Sequence, residues 1–160
     1  MKQLRFYRRR PAFSMMTALA VMVIMGSIGA LVVNLSSKTV KVTVAQYQHE
    51  QAELYAKSYT EIAVMAITGN NRQNHCLEDI SANIGDDPEN GNGYRIRTHI
   101  AYIGSTTEIG NCSSTRQLST NVTTTDTPLT VIIDSYVDYK DPENPDGPWL
   151  TVHRRTVQKI

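Results

Sequence analysis

No charged residue occurs between Phe13 and Leu35, and neither proline nor glycine occurs between Leu35 and Thr68. The first absence removes the groups that would keep such a run in water, and the second removes the residues that end helices. Neither sign of charge is in excess. Sixteen Lys and Arg against 15 Asp and Glu leave a formal net charge of +1, which does not point to nucleic acid or an anionic surface as partner. The chain has 2 cysteines, without a CxxC pair or a spaced histidine pair, so a tetrahedral zinc site is not indicated. HExxH, GxSxG and Walker patterns are missing. The histidines, His49, His75, His99 and His153, are spread over segments that read as helix, loop and strand. An enzyme is therefore not expected, nor is a small-molecule substrate.

What is there begins with FSMMTALAVMVIMGSIGALVVNL, residues 13–35. At about 1.5 Å rise per residue, a helix of that length reaches roughly 35 Å and crosses a hydrocarbon layer of about 30 Å. Lys2, Arg5, Arg8, Arg9 and Arg10 crowd its N-terminal flank, against Lys38 and Lys41 on the other side, so the N-terminus is expected in the cytoplasm and the remainder outside it. The run is too long for a secretory h-region and no A-x-A site follows it, so an anchor that stays in the membrane is expected. With 160 residues and one span there is room for a single small exported domain. There Cys76 and Cys112 are expected to form a disulfide, which would stabilise that domain by roughly 3 to 4 kcal/mol in the chain-entropy model.

A short basic leader, the small residue Ala12, Phe13 and a long uncharged helix together resemble the signal of type IV prepilins and pseudopilins. The resemblance implies cleavage between Ala12 and Phe13 by a prepilin peptidase, with Phe13 as the new N-terminus and a candidate for N-methylation. Two positions differ from the family pattern: Ala12 stands where Gly is usual, and Thr17 stands at the fifth mature position, where Glu is usual. The family glutamate is thought to pair with the N-terminal amine of a neighbouring subunit, and Thr17 has no charge to offer. A subunit with no neighbour ahead of it does not need that pair, so the resemblance implies a minor or tip subunit. Gly26 and Ala30 form a small-xxx-small pair, with Ser27 and Gly29 beside them. They suit close helix approach in a membrane, and equally the ordinary frequency of glycine in spans.

The implied function is structural: a subunit of a type II secretion pseudopilus or type IV pilus in a bacterial inner membrane, assembling through its N-terminal helix. The implied partners are other pilins or pseudopilins, the prepilin peptidase and an inner-membrane assembly platform. An alternative from another class is an uncleaved single-pass membrane sensor or adaptor with an extracytoplasmic binding domain.

Beyond the span, Val40, Val44, Tyr47, Leu54, Ile62 and Met65 recur at helical steps and predict an amphipathic stem helix over 36–68, buried along that stripe. Within it TVKVTV, residues 39–44, alternates like a strand, but its helical flanks favour helix. Gln51 and Ser58 interrupt any coiled-coil seam, and Gly69-Asn70-Asn71 ends the helix. Leu77, Ile80 and Ile84 suggest a short helical turn under the stem, followed by the turn sequence DDPENGNG. Tyr94–Tyr102 and Leu129–Tyr139 alternate as strands, 105–126 reads as a loop, and Trp149–Val157 forms a hairpin with the strand before it. The expected class is α+β, a long N-terminal helix on a small antiparallel sheet, divided into a leader 1–12, span 13–35, stem 36–68 and sheet domain 69–160.

In the hairpin loop, Asp141, Glu143, Asn144 and Asp146 offer hard oxygen donors. The resemblance implies calcium as the one candidate cofactor, while Pro142 and Pro145 make a plain loop a sufficient reading. The C-terminal cations His153, Arg154, Arg155 and Lys159 could meet phosphates, but the reading as guards of a sheet edge is preferred, and a nucleic-acid partner is not expected. Asn111-Cys112-Ser113 and Asn121-Val122-Thr123 match a glycosylation pattern that matters only in a eukaryotic secretory route.

Overall fold

The computed structural model describes residues 15–72, 74–122 and 129–160. The leader, the scissile position at Ala12 and the methylation candidate Phe13 lie outside the described residues. By contacts the chain divides into two compact units, Met1–Val44 and Ala45–Ile160.

In the first unit every described residue belongs to helix α1, which runs from Met15 to Gly69 and continues into the second unit. Side chains from Met15 to Leu35 are exposed, apart from a half-exposed Ala18, and this is the one described helix long and apolar enough to cross a membrane. Its hydroxyls have local acceptors: Ser27 donates to Ile24 O at 2.8 Å, Ser37 to Val33 O at 3.1 Å, and Thr39 to Leu35 O at 3.0 Å. Such back-bonding lets polar side chains sit on an apolar helix without orphaned groups, and Thr43, donating to Thr39 O at 2.9 Å, shows how TVKVTV is accommodated as helix.

The second unit is a sheet with the last turns of α1 against one face. Strands β1 (Asp79–Asp87), β2 (Asn92–Gly104), β4 (Leu129–Tyr139) and β5 (Leu150–Lys159) lie antiparallel in the order β1-β2-β4-β5. The short β3 (Gln117–Ser119) pairs parallel with β2. The α+β class and the arrangement of a long N-terminal helix on a small sheet agree with the sequence reading. Both alternating runs form the strands expected, with Tyr94, Ile96, Thr98, Ile100 and Tyr102 of β2 and Leu129, Val131, Ile133, Ser135 and Val137 of β4 buried on the helix side.

Which face of the helix is buried differs from the expectation. Ala52, Ala56, Thr60, Ala63 and Ile67 are buried, whereas Tyr47, Leu54 and Met65 are more than 60% exposed, and Val40, Val44 and Ile62 are exposed too. Large side chains mark helical period, but a flat sheet admits a helix most closely where side chains are small, so the alanines win the interface. This stripe meets two apolar clusters. Ala52 and Ala56 join Tyr94, Ile96, Val137 and Tyr139, while Ala63 and Ile67 join Ile100, Tyr102, Ile109, Leu129, Val131 and Ile133. Between the clusters Thr60, Ser135 and Thr98 form a buried hydroxyl layer. Thr60 Oγ1 donates to Ala56 O at 2.7 Å and lies 3.1 Å from Ser135 Oγ, which is 3.3 Å from Thr98 Oγ1.

Two loop readings are corrected. Leu77, Ile80 and Ile84 do not make a helical turn, since 79–87 is strand β1. The spacing from Ile80 to Ile84 suits helix and strand alike, and pairing with 92–99 of β2 decides it. The stretch read as a loop from 105 carries a short helix α2 (Thr106–Ile109), whose Ile109 is buried, as well as β3. DDPENGNG turns as expected: Asp87 caps a 3₁₀ turn over Pro88–Asn90, and Gly85 has φ +92° where a Cβ would stand 2.6 Å from Asn92 O.

Cys76 and Cys112 are disulfide-bonded, with Cα atoms 5.0 Å apart, and the bond ties the segment after α1 to the loop after α2. Arg72 also secures the helix end: Nη1 donates to Ile67 O at 3.0 Å, placing a cation on the free carbonyls of the last turn. Overpacking the alanine stripe should be costly. Ala56→Leu is expected to lower unfolding stability by about 1 to 3 kcal/mol, whereas Leu54→Ala on the exposed side should stay within about 0.5 kcal/mol, both read by urea unfolding of the full chain in detergent. Cys76→Ser with Cys112→Ser should cost roughly 3 to 4 kcal/mol in the same assay.

Candidate functional site

The side of the sheet away from α1 is built from the odd-numbered residues of β2 and β5 and the even-numbered residues of β4. Strand pleating turns them outward, and register sets them in rows. One row is Asp79, His99, Asp134, Arg155, and the next is Ser81, Arg97, Tyr136, His153. Three aspartates organise this face. Asp138, only 1% exposed, accepts from Arg95 Nε at 3.3 Å, Arg97 Nε at 3.0 Å and Thr151 Oγ1 at 2.7 Å. Asp134 accepts from Arg155 Nε at 2.7 Å and Nη2 at 2.9 Å, and meets His153 Nε2 at 2.8 Å. Asp79 accepts from Arg116 Nη2 at 2.6 Å and meets His99 Nδ1.

Aromatic rings fill the gaps. Tyr136 stacks on His153 with centroids 4.4 Å apart, meets His99 edge-on at 5.8 Å, and carries the Arg97 guanidinium at 5.8 Å. Arg95 lies over Trp149 at 4.2 Å. Every carboxylate in this lattice accepts from a cation, so the face offers guanidinium donors and ring faces to a ligand rather than a free acceptor. His99 and His153, far apart in sequence, are brought to either side of one tyrosine.

The ionic contacts shift the acids. The hydrogen bonds from Arg155 hold the Asp134 carboxyl below its ordinary value of 3.8, against a smaller opposing effect of burial. For Asp79, burial pushes upward, but the hydrogen bonds from His99 and Arg116 and their charges together bring it below 3.8. On the helix side, burial drives Tyr102 up to about 12, and its hydroxyl donates to Leu77 O.

The other sequence-selected residues fall elsewhere. Gly26 has open space around it, with no heavy atom outside its own stretch of helix backbone within 4 Å of where a Cβ would stand, and Ala30 is exposed on the same stretch of α1. Thr17 is exposed on α1 as well. Asp141, Glu143, Asn144 and Asp146 lie in the β4–β5 hairpin loop, where Asp141 Oδ1 accepts from Glu143 N at 3.0 Å and Asp141 O from Asn144 N at 3.0 Å, the bonding of a turn. Among the described residues no three His, Cys, Asp or Glu side chains gather where they could hold a metal ion. The cations of β5 do lie on a strand at the end of the sheet order.

The aspartate–arginine lattice was not singled out from sequence. Its signal is the outward alternation of Arg95, Arg97 and His99 beside that of Asp134, Tyr136 and Asp138, which acquires meaning only once the two strands are in register. A groove of about 270 Å³ on the other side of the sheet, between α1 and β5, is lined by Glu50, Glu53, Leu54, Lys57, Val152 and Arg154 among others. The chain matches no protein-family model, no curated protein and no solved structure.

The pH dependence has a definite sign. Asp79 and Asp134 have lowered folded values, so their contribution to stability is fully present above 3.8 and is lost as pH falls through those lowered values. The unfolding midpoint in urea is therefore expected to fall as pH is taken from about 5 towards 2, and Asp134→Asn should flatten part of that slope.

Proposed function

We propose that this chain is a minor pilin-like subunit of a type II secretion pseudopilus or type IV pilus. It is held by its N-terminal helix in a bacterial inner membrane, with the sheet domain on the periplasmic side. The observation that carries this reading is the double use of α1. From Met15 to Leu35 it is apolar and exposed, while between Ala52 and Ile67 it buries a stripe of small side chains and leaves Leu54, Ile62 and Met65 outward. A helix that is apolar on its free face needs lipid or other helices there. In this reading Gly26 and Ala30 permit close helix contact in the membrane, and the outward apolar residues pack against neighbouring subunits in the fibre.

Thr17 in place of the family glutamate supports a minor or tip position. A prepilin peptidase would cut between Ala12 and Phe13, and an inner-membrane platform would feed the subunit into the fibre. The work is mechanical, with the sheet domain meeting cargo or partner subunits. The alternative, an uncleaved membrane sensor or adaptor, draws support from the arginine and aromatic lattice of the outward sheet face.

Intact mass measurement of the protein from membranes separates the two. A chain beginning at Phe13 and carrying one methyl group is the expected result, and a persistent Met1 end would remove the pilin reading. Leu54→Glu with Met65→Glu should reduce co-purification with partner subunits at least tenfold while leaving the unfolding midpoint close to that of the parent, since both side chains are exposed in the single chain.

A further inference from the structure

The sheet ends in two strands of opposite charge. At one end β1 carries Asp79, Asp86 and Asp87 and no Lys or Arg; at the other, β5 carries His153, Arg154, Arg155 and Lys159 and no Asp or Glu. β5 pairs with β4 over ten consecutive positions without a bulge, and its far side pairs with no described strand, which leaves a regular row of backbone donors and acceptors open. β1 is similarly unpaired beyond β2 among the described residues and is regular from Asp79 to Ile84, where a register shift begins.

We infer that the β5 edge of one copy of this chain takes the β1 edge of a second copy, so that the sheets join head to tail. Strand direction alternates across β1-β2-β4-β5, so simple repetition of the unit sets β5 against an antiparallel β1, as the rest of the sheet is built. Within one copy Asp79, His99, Asp134 and Arg155 stand in a single row. Continuing that row without stagger places the next copy's Asp79 opposite Arg155, and the same register sets Ala82 against Val152, Ile84 against Leu150 and Ile80 against Arg154. One pair of opposite charge meets on the outward face and two apolar pairs meet on the other, which favours this register.

Charge also rejects the simplest competitor. If β5 paired with β5 of another copy around a two-fold axis, Arg154 and Arg155 would face each other or themselves in any central register, and like charges directly opposite are unfavourable. The cations that guard this edge against its own kind thus make it complementary to the acidic edge. The contact is heterologous, so it extends beyond a dimer unless the rotation closes. It involves strands Asp79–Ile84 and Leu150–Arg155 only, and stands apart from the helix packing proposed above.

Cysteines at the facing positions test it in the full-length chain in membranes under mild oxidation, with the parent chain as control for the native disulfide. The double variant Ala82→Cys/Val152→Cys is expected to give a cross-linked ladder of dimers, trimers and larger species. The two single variants co-expressed should stop at dimers, and neither alone should cross-link. Adding Arg155→Glu should reduce the ladder about fivefold, because the reversed pair against Asp79 costs up to about 1 kcal/mol. Dimers from Val152→Cys alone, or no product from the double variant while its thermal unfolding matches the parent, would overturn the inference. The ladder is read whether the chain starts at Met1 or Phe13. A ladder on an unprocessed chain leaves the edge contact standing without the pilin reading, and a processed chain with no ladder loses the edge contact alone.

Discussion

The sheet unit depends on how closely a helix can approach a flat sheet. Ala52, Ala56, Thr60, Ala63 and Ile67 bring α1 down onto β2 and β4, and the small side chains leave room for Tyr94, Tyr102 and Tyr139 to fill the space on either side. The hydroxyl layer of Thr60, Ser135 and Thr98 lies between two apolar clusters, where each buried oxygen has a partner at 3.3 Å or less. A polar layer of this kind constrains alignment more than it adds stability, because sliding the helix by one turn would break the Thr60–Ser135 contact and set the Thr60 hydroxyl against apolar groups.

That choice of interface frees the opposite side of the helix. Tyr47, Leu54 and Met65 are left outward because alanines occupy the contact, so one segment serves the domain's own core with its small residues and presents its large ones. The sheet divides its labour the same way: even-numbered residues of β2 and odd-numbered residues of β4 form the core, and the opposite set carries the aspartate–arginine lattice. Buried Asp138, bonded to Arg95, Arg97 and Thr151, holds two guanidiniums in place on the sheet, an order they would lack in water.

Much of this is legible in the chain. The boundaries of β4 coincide with its alternating run, the end of α1 falls at Gly69, and the pairing of Cys76 with Cys112 follows from there being only two cysteines. The polar segments resisted reading. In β1, Asp79, Ser81 and Asn83 carry little strand propensity, and the strand exists because β2 offers it a partner. The stem stripe was misjudged because periodicity reports that a helix has faces, while the space left by the sheet decides which face is taken.

The sequence alone determined that a long apolar helix leads the chain and that a small sheet with one disulfide follows, because hydrophobic runs, period-two alternation and turn residues are local properties of neighbours in the chain. Only the tertiary structure decided that alanines rather than Leu54 and Met65 face the sheet, that His99 and His153 flank Tyr136, and that acidic and basic strands end the same sheet. Those facts depend on strand order and register, which arise from residues far apart in sequence competing for the same neighbours.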